Sequence, residues 1–275
     1  MRFDEFLKER EFLLGVTPKT LIYYHCAFNS WKKYATDGTA VTWIKGMKEA
    51  GIKAVSINTY ICAMNAYWKW AGEYNPVTKQ GKRLAYLKEE QNILKAPSAA
   101  TVQAILRLKG KSMSQQRVLT LVALLCDTGL RIEEAVMLQR SKVDFQGLTV
   151  TVRGKGDKER MVPISHELRK ILYRFCAKRE EQPLVFTTAS GGRLTQRNVL
   201  RDLYTVQRQL GLPQFGFHGF RHFFAVSYLR NGGNLFYLSR ILGHCSIKTT
   251  ELYLRSLGVE DLGRVHNQLS PLARR

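Results

Sequence analysis

Acidic residues are scarce in this 275-residue chain: 22 Asp+Glu stand against 43 Lys+Arg, for a net charge of +21. A surplus that large exceeds what solubility needs and points to a polyanionic partner, nucleic acid first among them. No apolar run is long enough to span a bilayer. No lysine-rich amphipathic terminus offers a surface anchor either, so a membrane partner is not expected. Cysteine is sparse. Cys26, Cys62, Cys126, Cys176 and Cys245 are odd in number, widely spaced and without a Cys-x-x-Cys pair. That argues against a disulfide framework and a zinc site, and for a reducing compartment. The opening Met1-Arg-Phe-Asp-Glu is not a signal peptide, and a cytoplasmic protein is expected. A phosphate-binding glycine loop ending in Lys-Ser/Thr is missing, as are clustered carboxylates, which agrees with the expectation of no ATP, metal or other cofactor. Internal repeats and low-complexity tracts are absent too.

What is present organises the chain into two parts. Hydrophobic content of 45% and this length allow one large domain or two of ordinary size. Residues 1–90 read as a compact helical domain. Phe3, Phe6, Leu7 and Phe12 mark an opening amphipathic turn or two, and Thr17-Pro18 caps a helix through Leu21, Tyr24, Phe28 and Trp31. A short helix follows over Thr42–Ala50, and Ser56 is expected to cap a fourth over Ile57–Trp70. Residues 77–98, with Lys79, Lys82, Arg83, Lys88 and Lys95 and few core residues, read as a basic linker.

Residues 91–275 read as a mixed second domain. Helices are expected over Ala99–Leu108, Val118–Asp127 and Ile132–Leu138, with Arg131 opening the third after Thr128-Gly129. Leu148–Val152 and Glu159–Ile164 flank a glycine-lysine turn as a hairpin, and Leu184–Thr187 is a candidate edge strand. Helices then return over Asn198–Leu210, Arg221–Asn231, Leu235–Leu242 and around Thr249–Tyr253. The fold class is mainly α with a small antiparallel sheet.

The chemistry concentrates between His218 and Tyr253. His218, Arg221, His222, His244 and Tyr253 crowd into segments that otherwise read as core, and packing gives no reason for them. Attack by a phenol on a phosphodiester would want such a set. A tyrosine hydroxyl, with a pKa near ~10, needs a base beside it and cations around the developing phosphorane charge. Arginine matches two phosphate oxygens with its planar fork, and histidine moves protons near neutral pH.

Five motifs in order, Thr128-Gly-Leu-Arg131-Ile-Glu-Glu134, Gly154-Lys155-Gly-x-Lys-Glu-Arg, His218-x-x-Arg221-His222, Leu242-Gly243-His244 and Thr249-Thr-x-x-Tyr253, resemble the tyrosine recombinases, Xer-like and phage or transposon integrases in style. The resemblance covers roughly residues 95–260 and extends more loosely to the N-terminal part. Phe220 and Phe223 depart from the residues common in the family and bear on packing beside Arg221 more than on chemistry.

The resemblance implies a two-domain C-shaped clamp on duplex DNA. Its helical core-binding domain would be residues 1–90, and its catalytic domain with a C-terminal tail helix residues 91–275. It implies the catalytic set Arg131, Lys155, His218, Arg221, His244 and Tyr253. Arg131 and Arg221 would clamp the phosphate, and Lys155, with Lys158 as its rival, would protonate the leaving 5′-oxygen. His218 would accept a proton or donate to the phosphate, His244 would hydrogen-bond a phosphate oxygen, and Tyr253 would attack. Glu134 would orient the basic groups, and His222 would be structural. Tyr228 and Tyr237, the other tyrosines of the region, read as core. The implied partners are double-stranded DNA with paired half-sites and further copies of the chain, dimer to tetramer, joined through the tail around Val259, Leu262, Val265 and Leu269. Docking of that tail in cis or in trans stays open, and no separate arm-binding domain is expected ahead of the core-binding helices. Two alternatives stand beside this reading: a type IB topoisomerase, and a DNA-binding regulator on the same fold.

Overall fold

The computed structural model describes residues 2–72, 83–88, 96–154, 158–177, 182–270 and 272. The chain divides into two compact units, Met1–Asn92 and Ile93–Arg275.

The first unit is built from α1 (Phe3–Phe12), α2 (Pro18–Tyr34), α3 (Ala40–Glu49) and α4 (Ala54–Ala71). The proline at the start of α2 sits where its missing N–H costs nothing, and the Thr17 hydroxyl accepts from the Thr20 N–H. Lys53 rather than Ser56 stands at the start of α4, so the helix begins a turn earlier than expected. The core gathers Phe6, Phe28, Trp31, Trp43, Met47, Ile57, Ile61, Met64 and Tyr67. Burying a side chain such as Phe6 or Met47 stabilises the unit by about 1.5–3 kcal/mol each. Inside it, the Trp43 indole N–H donates to Ser30 Oγ at 3.1 Å.

Part of the stretch read as a linker belongs to this core. Leu84 is buried there. Asn65 on α4 exchanges two hydrogen bonds with the Leu84 backbone, at 2.9 and 3.0 Å. Asn58 does the same with Leu87, at 2.7 and 2.9 Å. Two amides two turns apart on one face of α4 thus hold residues 83–88 as a ladder would. The rest of the stretch, apart from residues 96–98, lies outside the described residues.

The second unit runs α5 (Ala99–Arg107), α6 (Met113–Thr128), α7 (Ile132–Val136), β1 (Val143–Asp144), β2 (Thr149–Arg153), β3 (Glu159–Pro163), α8 (His166–Ala177), α9 (Gln196–Gln209), α10 (His218–Arg230), α11 (Leu235–Leu242), α12 (Ile247–Glu251) and α13 (Val259–Leu269). It is mostly helical, with one antiparallel sheet in the order β1-β2-β3. In the β2–β3 register Val150 faces Val162 and Val152 faces Arg160. Because strand side chains alternate between faces, Arg160 shares the inward face with these three valines.

Several boundaries differ from the sequence reading. Leu184–Thr187 makes only isolated bridges, Gln139 to Leu184 and Thr187 to Arg193, and the third strand is β1. Helix α8, buried through Leu168, Leu172, Phe175 and Cys176, was not foreseen. Helix α10 starts at His218 rather than Arg221, with no side-chain cap. The core of this unit centres on α6, whose Leu121, Leu124 and Leu125 are fully buried.

Candidate active site

Four chain segments meet at one point: the α6–α7 junction, the inner face of β3, the start of α10 and the end of α11. Helix α6 stops at Gly129, whose φ of 63° is left-handed, and Arg131 then opens α7. The Glu134 carboxylate accepts from the Arg131 backbone N–H at 2.9 Å, closing the first turn. Its other oxygen accepts from Arg131 Nη1 at 3.1 Å. Helix α11 stops in the same way on Gly243, with φ 65°. The carbonyls its last turn leaves free are acceptors for cations.

Both motif arginines use them. Arg221, only 2% exposed on α10, donates from Nη1 to the Gly129 carbonyl at 2.6 Å and from Nη2 to the Leu242 carbonyl at 3.0 Å. Arg131 Nη1 reaches the same Leu242 carbonyl at 3.4 Å. The Arg131 side chain is 41% exposed, so one guanidinium is seated in the fold and the other faces outward. Burial, then the charge of Arg131, pulls the Arg221 pKa below its usual value, while Tyr253 and Glu134 act to raise it.

His244 follows directly. Arg221 Nη2 lies 2.9 Å from its Nε2. A guanidinium only donates, so Nε2 is the acceptor, and the ring proton sits on Nδ1, 2.8 Å from Thr250 Oγ1. Burial first, then Arg221 and Arg131, push the His244 pKa down to about 4. The imidazole is therefore neutral, with its tautomer set by Arg221 and its Nδ1 proton received by Thr250. His218, one turn before Arg221, has its pKa lowered by burial, then by Arg221 and Arg131. Although exposed on one side, it stays within the field of both arginines, which favours its neutral form.

Tyr253 is 7% exposed. Its ring lies parallel to His244, at 6.3 Å and 10°, and 5.1 Å from His222. Its hydroxyl interacts favourably with the Arg221 guanidinium. His222 is buried, and its Nε2 pairs with Ser256 Oγ at 3.2 Å, a contact that ties α10 to the turn after Tyr253.

The structure thus gathers Arg131, His218, Arg221, His244 and Tyr253 in one place. Lys155 lies outside the described residues, while Lys158 closes the hairpin by accepting the Gly154 N–H on its carbonyl at 3.0 Å. Tyr237 is 64% exposed, not core as its apolar neighbours imply. Tyr228 is half-buried against the Ala225–Leu242 cluster. Phe220 is fully buried and Phe223 packs partly into the core. Two members of the neighbourhood had no role in the sequence reading. Thr250, fully buried, receives the His244 Nδ1 proton. Arg160, on the inner face of β3, grips Glu134 through both carboxylate oxygens at 2.9 and 2.8 Å. Among the described residues no three His, Cys, Asp or Glu side chains are grouped to hold a metal ion, and no helix is long and apolar enough to cross a membrane.

Chemically, the cluster presents two cations, two neutral imidazoles and a phenol to one small region. That arrangement suits an anionic group carrying more charge in its transition state than in its ground state.

Comparison with known proteins leads the same way. The phage integrase family model matches residues 92–258. The chain is 28% identical over 278 residues to "Tyrosine recombinase XerC" of Chromobacterium violaceum, covering 95% of this chain and 92% of that one. It is 28% identical over 221 residues to "Tyrosine recombinase XerA" of Pyrococcus furiosus, covering 78% and 75%. Among solved structures, the Tn1549 transposon integrase in complex with transposon right end DNA superposes with a TM-score of 0.78 at 18% identity, covering 98% and 100%. The XerH site-specific recombinase bound to difH substrate, in a post-cleavage complex, gives 0.71 at 17%, covering 98% and 84%. These two likenesses are of fold.

Proposed function

The chain belongs to the phage integrase family, and from that premise we propose that it is a site-specific tyrosine recombinase whose catalytic set is Arg131, Lys155, His218, Arg221, His244 and Tyr253. The observation that carries the assignment is the convergence of Arg131 and Arg221, from separate elements, on the Leu242 carbonyl, with the Tyr253 ring stacked at 6.3 Å on the His244 imidazole that Arg221 meets.

In this reading the Tyr253 hydroxyl attacks the scissile phosphorus. The P–O bond to the tyrosine forms as the P–O5′ bond breaks, leaving a 3′-phosphotyrosyl link and a free 5′-hydroxyl. His218, kept neutral, takes the phenolic proton. Lys155 gives a proton to the departing 5′-oxygen. Arg131 and Arg221 take up the extra charge of the pentavalent state, and His244 supports a nonbridging oxygen. Attack by the 5′-hydroxyl of a partner strand reverses the sequence and joins the strands, with bond energy kept in the covalent link.

We assign residues 1–90 to holding duplex DNA and residues 91–275 to the chemistry. Oligomerisation on DNA is read as passing through the tail. Arg230 holds Asp261 at 3.0 Å and so fixes the root of α13 to α10, while Val259, Leu262 and Leu269 stand exposed, which suits docking on a second copy. The compartment is read as the cytoplasm, in keeping with a DNA substrate and free cysteines. The relatives are recombinases by name, which does not favour a relaxing enzyme or a binding-only regulator.

The test is a nicked suicide duplex carrying the site the protein selects from a randomised DNA pool. Wild type should form a covalent adduct, and Tyr253→Phe should bind the same duplex and form none. An adduct with Tyr253→Phe would remove Tyr253 from the mechanism.

A further inference from the structure

We propose that Arg160 is a positioning residue for strand cleavage, acting through Glu134 and the end of α11 rather than on the phosphate; the inference rests on the recombinase reading above. The β2–β3 register puts Arg160 opposite Val152 on the buried face of the sheet, where a charge is costly unless paired. It is paired through three nitrogens. Nη1 and Nη2 donate to the two Glu134 oxygens at 2.9 and 2.8 Å, and Nε donates to the Ile241 carbonyl at 3.0 Å. The Arg160 and Glu134 side chains are only 14% and 5% exposed.

Each of these partners also supports the phosphate clamp. Glu134 holds the backbone and the guanidinium of Arg131. Ile241 precedes Leu242, whose carbonyl receives both Arg131 and Arg221. Arg160 therefore ties a strand of the lysine-bearing hairpin to both halves of the clamp. The fit is close: a Cβ on Gly243 would lie 2.9 Å from Arg160 Cζ, and the three hydrogen bonds leave that guanidinium no direction in which to yield.

Without Arg160, the Glu134 carboxylate is left with Arg131 alone. The pair draws together, and the clamp turns from its reacting position. A lysine cannot replace the fork, because a point charge meets one oxygen at a time. Displacing a positioned group by about 1 Å costs on the order of 10²-fold in rate.

The experiment compares wild type, Arg160→Met, Arg160→Lys and Arg131→Ala in single-turnover cleavage of the selected suicide duplex. A matched duplex carries a methylphosphonate at the scissile position, which removes one negative charge and with it part of the need for a cationic clamp. Both Arg160 variants should bind DNA as wild type does and cleave the phosphate about 10²-fold more slowly. They should recover on the methylphosphonate, and Arg131→Ala should do the same. Equal loss on both duplexes, or cleavage by Arg160→Lys at the wild-type rate, would overturn the proposal. Thermal melting of Arg160→Met, Glu134→Gln and the double variant reports on the same contact without catalysis. The double variant should melt no lower than the worse single one, and additive losses would count against the tie. If the wild type itself cleaves nothing, the recombinase reading fails, and the melting comparison alone decides whether Arg160 holds Glu134.

Discussion

Arg221 donates to His244 at 2.9 Å through a ring nitrogen that must be unprotonated to receive it. Charging that imidazole sets two cations against each other at hydrogen-bond distance. Both the stability and the chemistry of the site therefore depend on pH.

The His244 pKa is lowered from 6.5 to about 4, and those of His218 and His222 are lowered too, chiefly by burial. Below 6.5 the unfolded chain takes up protons that the folded one refuses. The contribution of His244 is thus complete above about 6.5 and is lost as pH falls toward about 4. The melting temperature should be level from pH 7 to about 8 and decline between about 6.5 and about 4.5, with a shallower decline in His244→Gln. A melting temperature that rises on acidification through this window would contradict the assigned tautomer. The lowered pKa of Glu134, held down by Arg160 and Arg131 against its burial, adds a separate loss below the carboxylate range.

Thr250→Val keeps the shape of a fully buried side chain and removes the acceptor of the His244 Nδ1 proton. An unsatisfied buried donor costs about 1–3 kcal/mol. The variant should melt lower by that amount, while the imidazole nitrogen resonances keep the Nδ1–H tautomer, because Arg221 still donates to Nε2. Cleavage should slow while DNA affinity holds. An unchanged melting temperature in Thr250→Val would show that another group receives the Nδ1 proton.

Much of this site was legible because its chemistry travels in short motifs. His218, Arg221, His244 and Tyr253 could be singled out before any contact was known, since no packing argument explains such residues among apolar neighbours, whereas Arg131 was named through the resemblance. Arg160 was quoted in a motif yet given no role, because a strand arginine next to a turn looks solvated. The signal was present: it alternates in phase with Val162 and Ile164, both buried. What made it legible only in three dimensions is that its partners come from α7 and α11. The start of α10 was misplaced because Phe217 offers no cap and Gly219 lies in the first turn. Leu184–Thr187 has the composition of a strand but finds only single-residue bridges, so its neighbours, not its propensity, decided its form.

Gly129→Ala is expected to be severe. Gly129 has φ 63°, and a Cβ there would lie 2.4 Å from Phe224 Cδ1 and 2.6 Å from Leu242 Cδ2. A left-handed alanine costs about 1–2 kcal/mol, and overpacking adds about 1–3 kcal/mol. Chemical denaturation should show a loss of about 2–5 kcal/mol in all. A change within error would mean that the α6–α7 junction yields more readily than its packing implies.

Salt should weaken DNA binding steeply. With a net charge of +21, DNA affinity is expected to come mostly from backbone phosphates and should fall by about 10³-fold or more between roughly 50 and 200 mM salt. Titration of labelled duplex across that range measures the slope, and a flat response would point to a partner recognised by something other than its charge.

The two chain reversals at Gly129 and Gly243 place the guanidinium seats at spots where a single methyl group does not fit. A descendant of this sequence could therefore abandon strand exchange without altering any ionic side chain, and its surface would still grip the double helix. Scoring such descendants by their charged residues alone would count them as working enzymes; the two unadorned α-carbons are the more sensitive record of whether turnover has been kept.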